Sequence, residues 1–225
     1  GQGALRCHPY LLKEMAAAEE SDPVLAIDDF DQALMGHIGH VLSTFARAAV
    51  ANATGGLLGS DPSIGEVNQW YAQLERASVS FAAVVELALL QLGGDLKRRE
   101  MISGRFADVL SELFMLSATI KHFEDGGRQV SELSLLEYAM QQGLYTIQQR
   151  LNDILDNLPG RFGAWCVRRL VFPYGLRRQP ADDALTREVA SQLAESAARR
   201  GRLAAGMSLA DDGDDLLGCL EHAPQ

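Results

Sequence analysis

The segment from Glu66 to Leu92 constrains the fold more than any other part of the chain. Val67, Tyr71, Leu74, Ser78, Phe81, Val85, Ala88 and Leu92 succeed one another in alternating steps of four and three. On an α-helix that alternation draws one continuous line of side chains, the seam along which bundle helices pack. A strand would scatter the same residues over both faces, because its side chains alternate with a period of two. Gly93-Gly94-Asp95 then breaks the helix and opens the next one. Glycine supplies a left-handed C-cap, and the aspartate accepts hydrogen bonds from the new N-terminal amides.

Helical spacing recurs on both sides of this segment. A helix over about 24–53 carries Ile27, Phe30, Leu34, His37, Ile38, Val41, Phe45 and Ala48 on one stripe and stops at Thr54-Gly55-Gly56. Glycine, serine and Asp-Pro content make a loop of the following residues up to Gly65. A helix over about 96–123 turns Met101, Ile102, Phe106, Val109, Leu113, Leu116 and Ile120 inward and ends at Asp125-Gly126-Gly127. Another, about 133–157, carries Leu136, Ala139, Leu144, Ile147, Leu151 and Ile154 and ends at Pro159-Gly160. A short helix after Pro9 ends near Ser21, Asp22-Pro23 starts the next, and a helix over about 182–195 precedes a tail rich in Ala, Gly and Asp. Strand patterns are nearly absent. These signals predict an all-α fold, an antiparallel helical bundle of four long helices plus shorter helices at both ends.

Composition narrows the function classes. With 47% hydrophobic residues over 225 positions, the chain buries a sizeable core and is too apolar for intrinsic disorder. A formal net charge of -10 repels phosphate backbones and argues against nucleic acid as a partner. Cys7, Cys166 and Cys219 are odd in number and widely spaced, which suggests neither a disulfide framework nor a zinc knuckle and fits a reducing, cytoplasmic setting. No run approaches the roughly 20 apolar residues of a bilayer span, so the chain is not expected to be integral to a membrane by itself. The acidic cluster Asp211 to Asp215 lacks the closing glutamate of a calcium loop and reads as a solvated turn.

Two runs carry a family likeness. Gly1-Gln-Gly-Ala-Leu-Arg-Cys-His-Pro-Tyr10 and the stretch Gly93 to Asp108, which opens with Gly-Gly-Asp-Leu-Lys-Arg-Arg-Glu, resemble the carboxyl-terminal part of bacterial FadE-type acyl-CoA dehydrogenases. His37-Ile-Gly-His40 and, more loosely, Leu203 to Leu220 add to it. The resemblance implies that residues 1–21 form the end of a dehydrogenase core and its junction, 22–160 a helical bundle, and 161–225 a basic aromatic segment, short helices and a tail. It further implies FAD, a fatty acyl-CoA substrate, an electron-transfer acceptor and a role in β-oxidation. In that chemistry a glutamate removes the α-proton while the β-hydrogen leaves as hydride to the flavin. The family's base lies in a Glu-Gly-Ala-Asn segment just before the Gly-Gln-Gly motif. The chain therefore reads as a fragment whose catalytic base is expected upstream of Gly1. Glu14, Glu100 and Glu112 do not match that segment.

Candidate binding residues are few. His37 and His40 share a helical face at a spacing that can hold a metal, but no converging ligands accompany them, so core or interface histidines are expected. Lys97, Arg98 and Arg99 can meet a coenzyme A phosphate, although intramolecular pairing with Asp95, Glu100 or Asp108 is favoured, and Arg105 and Asp108 are spaced for an ion pair. The segment 161–178 departs from the acidic average. Arg161, Trp165, Arg168, Arg169, Phe172, Arg177 and Arg178 form a candidate membrane-contact set, since rings and guanidinium groups suit an anionic interface. Burial of the aromatics as a cap on the bundle is the competing reading. As a fragment of the enzyme, the accessory C-terminal domain is expected to serve in support, homodimer or core contact, or docking to the inner membrane; the alternatives are a stand-alone helical interaction module and a peripheral membrane adaptor.

Overall fold

A computed structural model describes residues 9–10, 13–14, 16–17, 23–56 and 67–204. Among these, every regular element is helical: α1 (Pro23–Ala53), α2 (Asn68–Leu92), α3 (Glu100–Asp125), α4 (Leu133–Asn157), α5 (Arg161–Val171), α6 (Asp183–Glu195) and α7 (Ala197–Leu203). Short 3-10 turns, Gly93–Arg98 and Val130–Glu132, precede α3 and α4. The expected short helix before Ser21 lies outside the described residues in large part. The loop up to Gly65 and the acidic tail lie wholly outside them. The chain forms two compact units, Gly1–Asp182 and Asp183–Gln225.

In the first unit α2 packs against α1, α3, α4 and α5, and α3 lies along α4. This arrangement explains a difference from the sequence reading. The seam drawn through α2 leaves Ser78 exposed and Tyr71, Phe81 and Val85 only half-buried, whereas Ala72, Ala77, Ser80, Ala83, Val84 and Leu87 are buried as well. A helix with neighbours on several sides buries more than one stripe. Small side chains at four of those positions, Ala72, Ala77, Ser80 and Ala83, let the neighbouring backbones come close.

The inward residues of α3 are as expected, Ile102, Phe106, Val109, Leu113, Leu116 and Ile120, except that Met101 is exposed. In α4 the set Leu136, Leu144, Ile147, Leu151 and Ile154 is buried together with Met140 and Leu155. Full burial of each such aliphatic side chain contributes about 1.5–3 kcal/mol. On α1 the buried face is polar and small: Ala33, His37, Thr44, Ala48 and Asn52. Ile27 and Ile38, placed inward by their spacing, are exposed. One helix does fit a bilayer by length and composition, correcting the expectation from sequence: α2 with its 3-10 extension, Asn68–Arg98. Its apolar residues Ala83, Val84, Leu87, Ala88 and Leu89 are spent inside the helical core.

Two devices fix the connections. Gly56 closes α1 with φ of 88°, and a Cβ there would stand 2.9 Å from the carbonyl oxygen of Ala72, so α2 passes too close for any side chain. At the other end of α2, Gln91 accepts a hydrogen bond from the Gly160 amide (2.8 Å) and donates to the Gly160 carbonyl (3.2 Å). Its side-chain amide thus pairs with the turn between α4 and α5 as a strand's peptide group would.

Tyr71 donates to Glu124 at 2.6 Å and joins α2 to the last turn of α3, where Arg128 also holds the carboxylate. The Glu124 hydrogen bond, with burial adding to it, pushes the Tyr71 hydroxyl up to about 12. The bonded, neutral phenol therefore stabilises the fold below its usual value of about 10, and that contribution is lost as pH rises from there to about 12. Tyrosinate absorbance should show one tyrosine titrating near the upper value. Tyr71→Phe should abolish it and lower stability at neutral pH by about 0.5–1.5 kcal/mol in urea unfolding.

Candidate functional site

The basic aromatic segment is largely helix α5, whose Ala164, Val167 and Val171 are buried in the first unit. Phe172 is buried just after them at 9% exposure, so it is not available to a membrane surface as the sequence had suggested. Arg178 also departs from the expected set, because it is half-buried and bonded to Gln73 and Gln148. Arg168 pairs with Asp156 at 2.7 Å, and Arg161 donates to the Asp156 carbonyl at 3.0 Å, so both clasp the end of α4. Arg177 lies over the Tyr174 ring at 5.3 Å. What remains on the outer face is Trp165 and Arg169 with Phe162 beside them. Phe162 is 79% exposed and Trp165 56%, and their rings stack at 6.2 Å.

Lys97 and Arg98 occupy the last turn of the 3-10 segment, and Arg99 precedes α3 as its cap residue. The helix macrodipole disfavours cations at a helix start, but Lys97 and Arg98 sit at the carboxyl end of the 3-10 segment, where it favours them. Arg98 pairs with Asp95, as intramolecular pairing required. Asp108 does not pair with Arg105. It meets Arg150 of α4 at 3.0 Å, a contact between helices that spacing along α3 could not reveal. Glu112, on the same helix, reaches the backbone of α4 at Gly143, and burial raises its carboxyl above the usual range, with Asp108 contributing.

His37 and His40 come together with two glutamates. His37 Nδ1 lies 2.7 Å from Glu14 Oε1, and His40 Nε2 lies 3.1 Å from Glu86 Oε1. His37 Nε2 also stands 3.9 Å from the other oxygen of Glu86. Tyr10 stacks on His37 at 6.3 Å, a fit that Gly36 permits, since a Cβ there would sit 2.3 Å from the tyrosine ring. Among the described residues no group of three or more His, Cys, Asp or Glu side chains is placed to hold a metal ion. The cluster instead pins the segment before α1 to α1 and α2. Glu86, 4% exposed on an otherwise apolar helix face, is the residue that spacing alone could not mark, for its carboxylate is understandable only once both histidines lie over it.

A second polar site escaped the sequence reading entirely. A cavity of about 350 Å³ opens between the end of α1, the middle of α2 and α4, and the stretch after α5. Arg76, Arg177 and Arg178 line it, together with Asn52, Ser80, Gln148 and Tyr174. Arg76 Nε donates to Asn52 Oδ1 at 2.7 Å, and Asn52 in turn donates to Ala48 and Ser80. The Arg178 amide donates to Gln148 Oε1 (3.1 Å), whose Nε2 returns a bond to the Arg178 carbonyl (3.3 Å). Burial lowers the Arg76 guanidinium, and burial with the like charge of Arg76 pushes Arg178 down to about 10. The available signal was a lone arginine set among Ala72, Ala77 and Ser80 in a core helix.

Glu86→Gln keeps the shape but removes the charge that both imidazoles face. It should destabilise the protein by about 1–3 kcal/mol, read as a shift of the urea midpoint, with the helical circular dichroism of the native state unchanged.

The described helices, with no strand among them, and the two sequence runs agree with what comparison with known proteins finds. Residues 5–225 match the family described as acyl-CoA dehydrogenase, C-terminal, bacterial type. No solved structure matches the chain. The match takes in nearly the whole sequence, and the chain belongs to the bacterial-type acyl-CoA dehydrogenase C-terminal family.

Proposed function

We propose that this chain is the accessory helical part of a flavin-dependent acyl-CoA dehydrogenase that introduces the α,β double bond into fatty acyl-CoA in β-oxidation. The observation that carries the reading is the family match over residues 5–225. The flavin, when bound, supplies the two-electron acceptor for the hydride. The described residues do not fit that group as a whole: the cavity beside Arg76, about 350 Å³, has room for a phosphate-bearing fragment but not for a flavin ring together with its adenosine diphosphate arm. Flavin, catalytic base and acyl pocket are accordingly assigned to another part of the enzyme. Its reoxidation falls to an electron-transfer partner.

The role assigned to these helices is contact with the dehydrogenase core or with a second copy. Helix α1 supports it, with Ile27, Met35, Ile38, Leu42 and Val50 exposed along its length. On α3, Leu110 and Phe114 stand one turn apart and are both exposed. Apolar side chains aligned on two helices mark surfaces that a neighbour covers. A specific observation favours membrane docking as an additional role, on the cytoplasmic face of the inner membrane. The stacked Phe162 and Trp165 project outward with Arg169 and suit a headgroup region.

The intact protein should carry FAD, and its flavin absorbance should bleach on addition of a fatty acyl-CoA. A protein without flavin, or one that leaves acyl-CoA unchanged, sinks the reading. For docking, Phe162→Ser with Trp165→Ser should reduce sedimentation with anionic vesicles by about tenfold, consistent with two lost interfacial rings. Unchanged sedimentation removes the membrane from the proposal and leaves core contact.

A further inference from the structure

We propose that the cavity between Arg76 and Arg178 is an oxyanion site whose occupant carries a phosphate group. The chain has 30 acidic and 20 basic residues, Arg and Lys together. Arg98, Arg128, Arg150 and Arg168 each lie against an aspartate or glutamate. Arg76 and Arg178 do not, for no carboxylate among the described residues lies within ion-pair distance of either. The cavity lining contains three arginines and no acid. Two half-buried guanidinium groups sharing one cavity repel each other and have lost much of their hydration, an arrangement that a bound anion relieves.

Donor accounting points the same way. Arg76 spends Nε on Asn52, and Arg178 spends Nη2 on Gln73. Among the described residues these are the only acceptors that the two guanidinium groups meet, so most of their donors remain for a ligand or solvent. Planar forks of this kind bind phosphate oxygens two at a time. The groups around them are already committed. Asn52 is tied to Ala48 and Ser80, and Gln148 clamps the Arg178 backbone from both sides. The arginines are therefore held before any ligand arrives, which lowers the ordering cost of binding.

Size and lining define the rest of the ligand. The cavity's volume of about 350 Å³ exceeds what inorganic phosphate fills, and Leu144, Ile147, Leu151 and Phe172 contribute to its floor. An organic phosphate, with its body along that floor, uses both halves of the site. Inorganic phosphate and a nucleotide such as coenzyme A share the recognised chemistry and are separated by experiment.

Calorimetric titration of the intact protein with inorganic phosphate, and separately with coenzyme A, tests this inference without turnover. Its failure thus leaves the dehydrogenase reading standing. Saturable binding of phosphate is expected, weakened about 10- to 100-fold by Arg76→Gln and by Arg178→Gln, as for loss of a charged hydrogen bond. Arg76→Lys should restore part of the affinity, and Arg150→Gln should leave it unchanged. Circular dichroism and urea unfolding establish that each variant is folded. Tighter binding of coenzyme A, lost in the same two variants, identifies a nucleotide phosphate as the occupant; equal or weaker binding identifies the smaller anion. Absence of saturation at millimolar phosphate and coenzyme A, or affinity that both glutamine variants retain, overturns the proposal. A carboxylate of the protein itself found against Arg76 and Arg178 would overturn it as well.

Discussion

The close packing of helices around α2 is the constraint on which the first unit depends. Four helices meet it, and they do so over Ala72, Ala77, Ser80, Ala83 and Ala88, side chains small enough to admit neighbouring backbones. At Gly56 the end of α1 meets the backbone of α2 with no room for a methyl group. Interiors packed to crystal-like density transmit such constraints, because a side chain one methylene larger must displace something. The polar sites are arranged around the same helix. Glu86 faces the histidines of α1 near one end, Arg76 and Ser80 face the cavity in the middle, and Tyr71 reaches α3 near the start.

Much of this fold was legible in the sequence, and the places where it was not have a common cause. The long helices, their glycine ends and the inward residues of α3 and α4 followed from periodicity, because those helices have one predominant buried face. On α1 periodicity misled, since the buried face is made of Ala33, His37, Thr44 and Asn52 while Ile27 and Ile38 remain outside. An apolar stripe says that something will cover it, without saying whether the cover belongs to the same fold. The candidate sites divided similarly. Trp165 and Arg169 are exposed on α5, but Phe172 and Arg178 lie beyond the end of α5, where the chain turns back and helical spacing no longer tells inside from outside. The cavity depends on Asn52, Arg76, Gln148 and Arg178, which are far apart in sequence and converge only through packing.

The two polar clusters also differ in how they solve the cost of burial. At His37, His40 and Glu86 a buried carboxylate is met by neighbouring rings, and with Glu14 against His37 the result is a polar contact that fastens the segment before α1. At Arg76 and Arg178 the guanidinium groups meet only neutral side-chain amides among the described residues, so part of their hydrogen-bonding capacity is used while their charge is unanswered. Desolvated charge of one sign is costly in isolation. A protein that keeps it is holding a binding surface at some expense to stability.

The clasp between Gln91 and Gly160 bears on geometry at a distance. Because the side chain of one helix stands in for a peptide partner of the turn, the azimuth at which α5 leaves that turn is set by α2 and not by the turn's own residues. The direction in which Phe162 and Trp165 look outward is thereby written into the core helix. The outer face of α5 is aimed by the interior, so this surface and the packing behind it form one mechanical part.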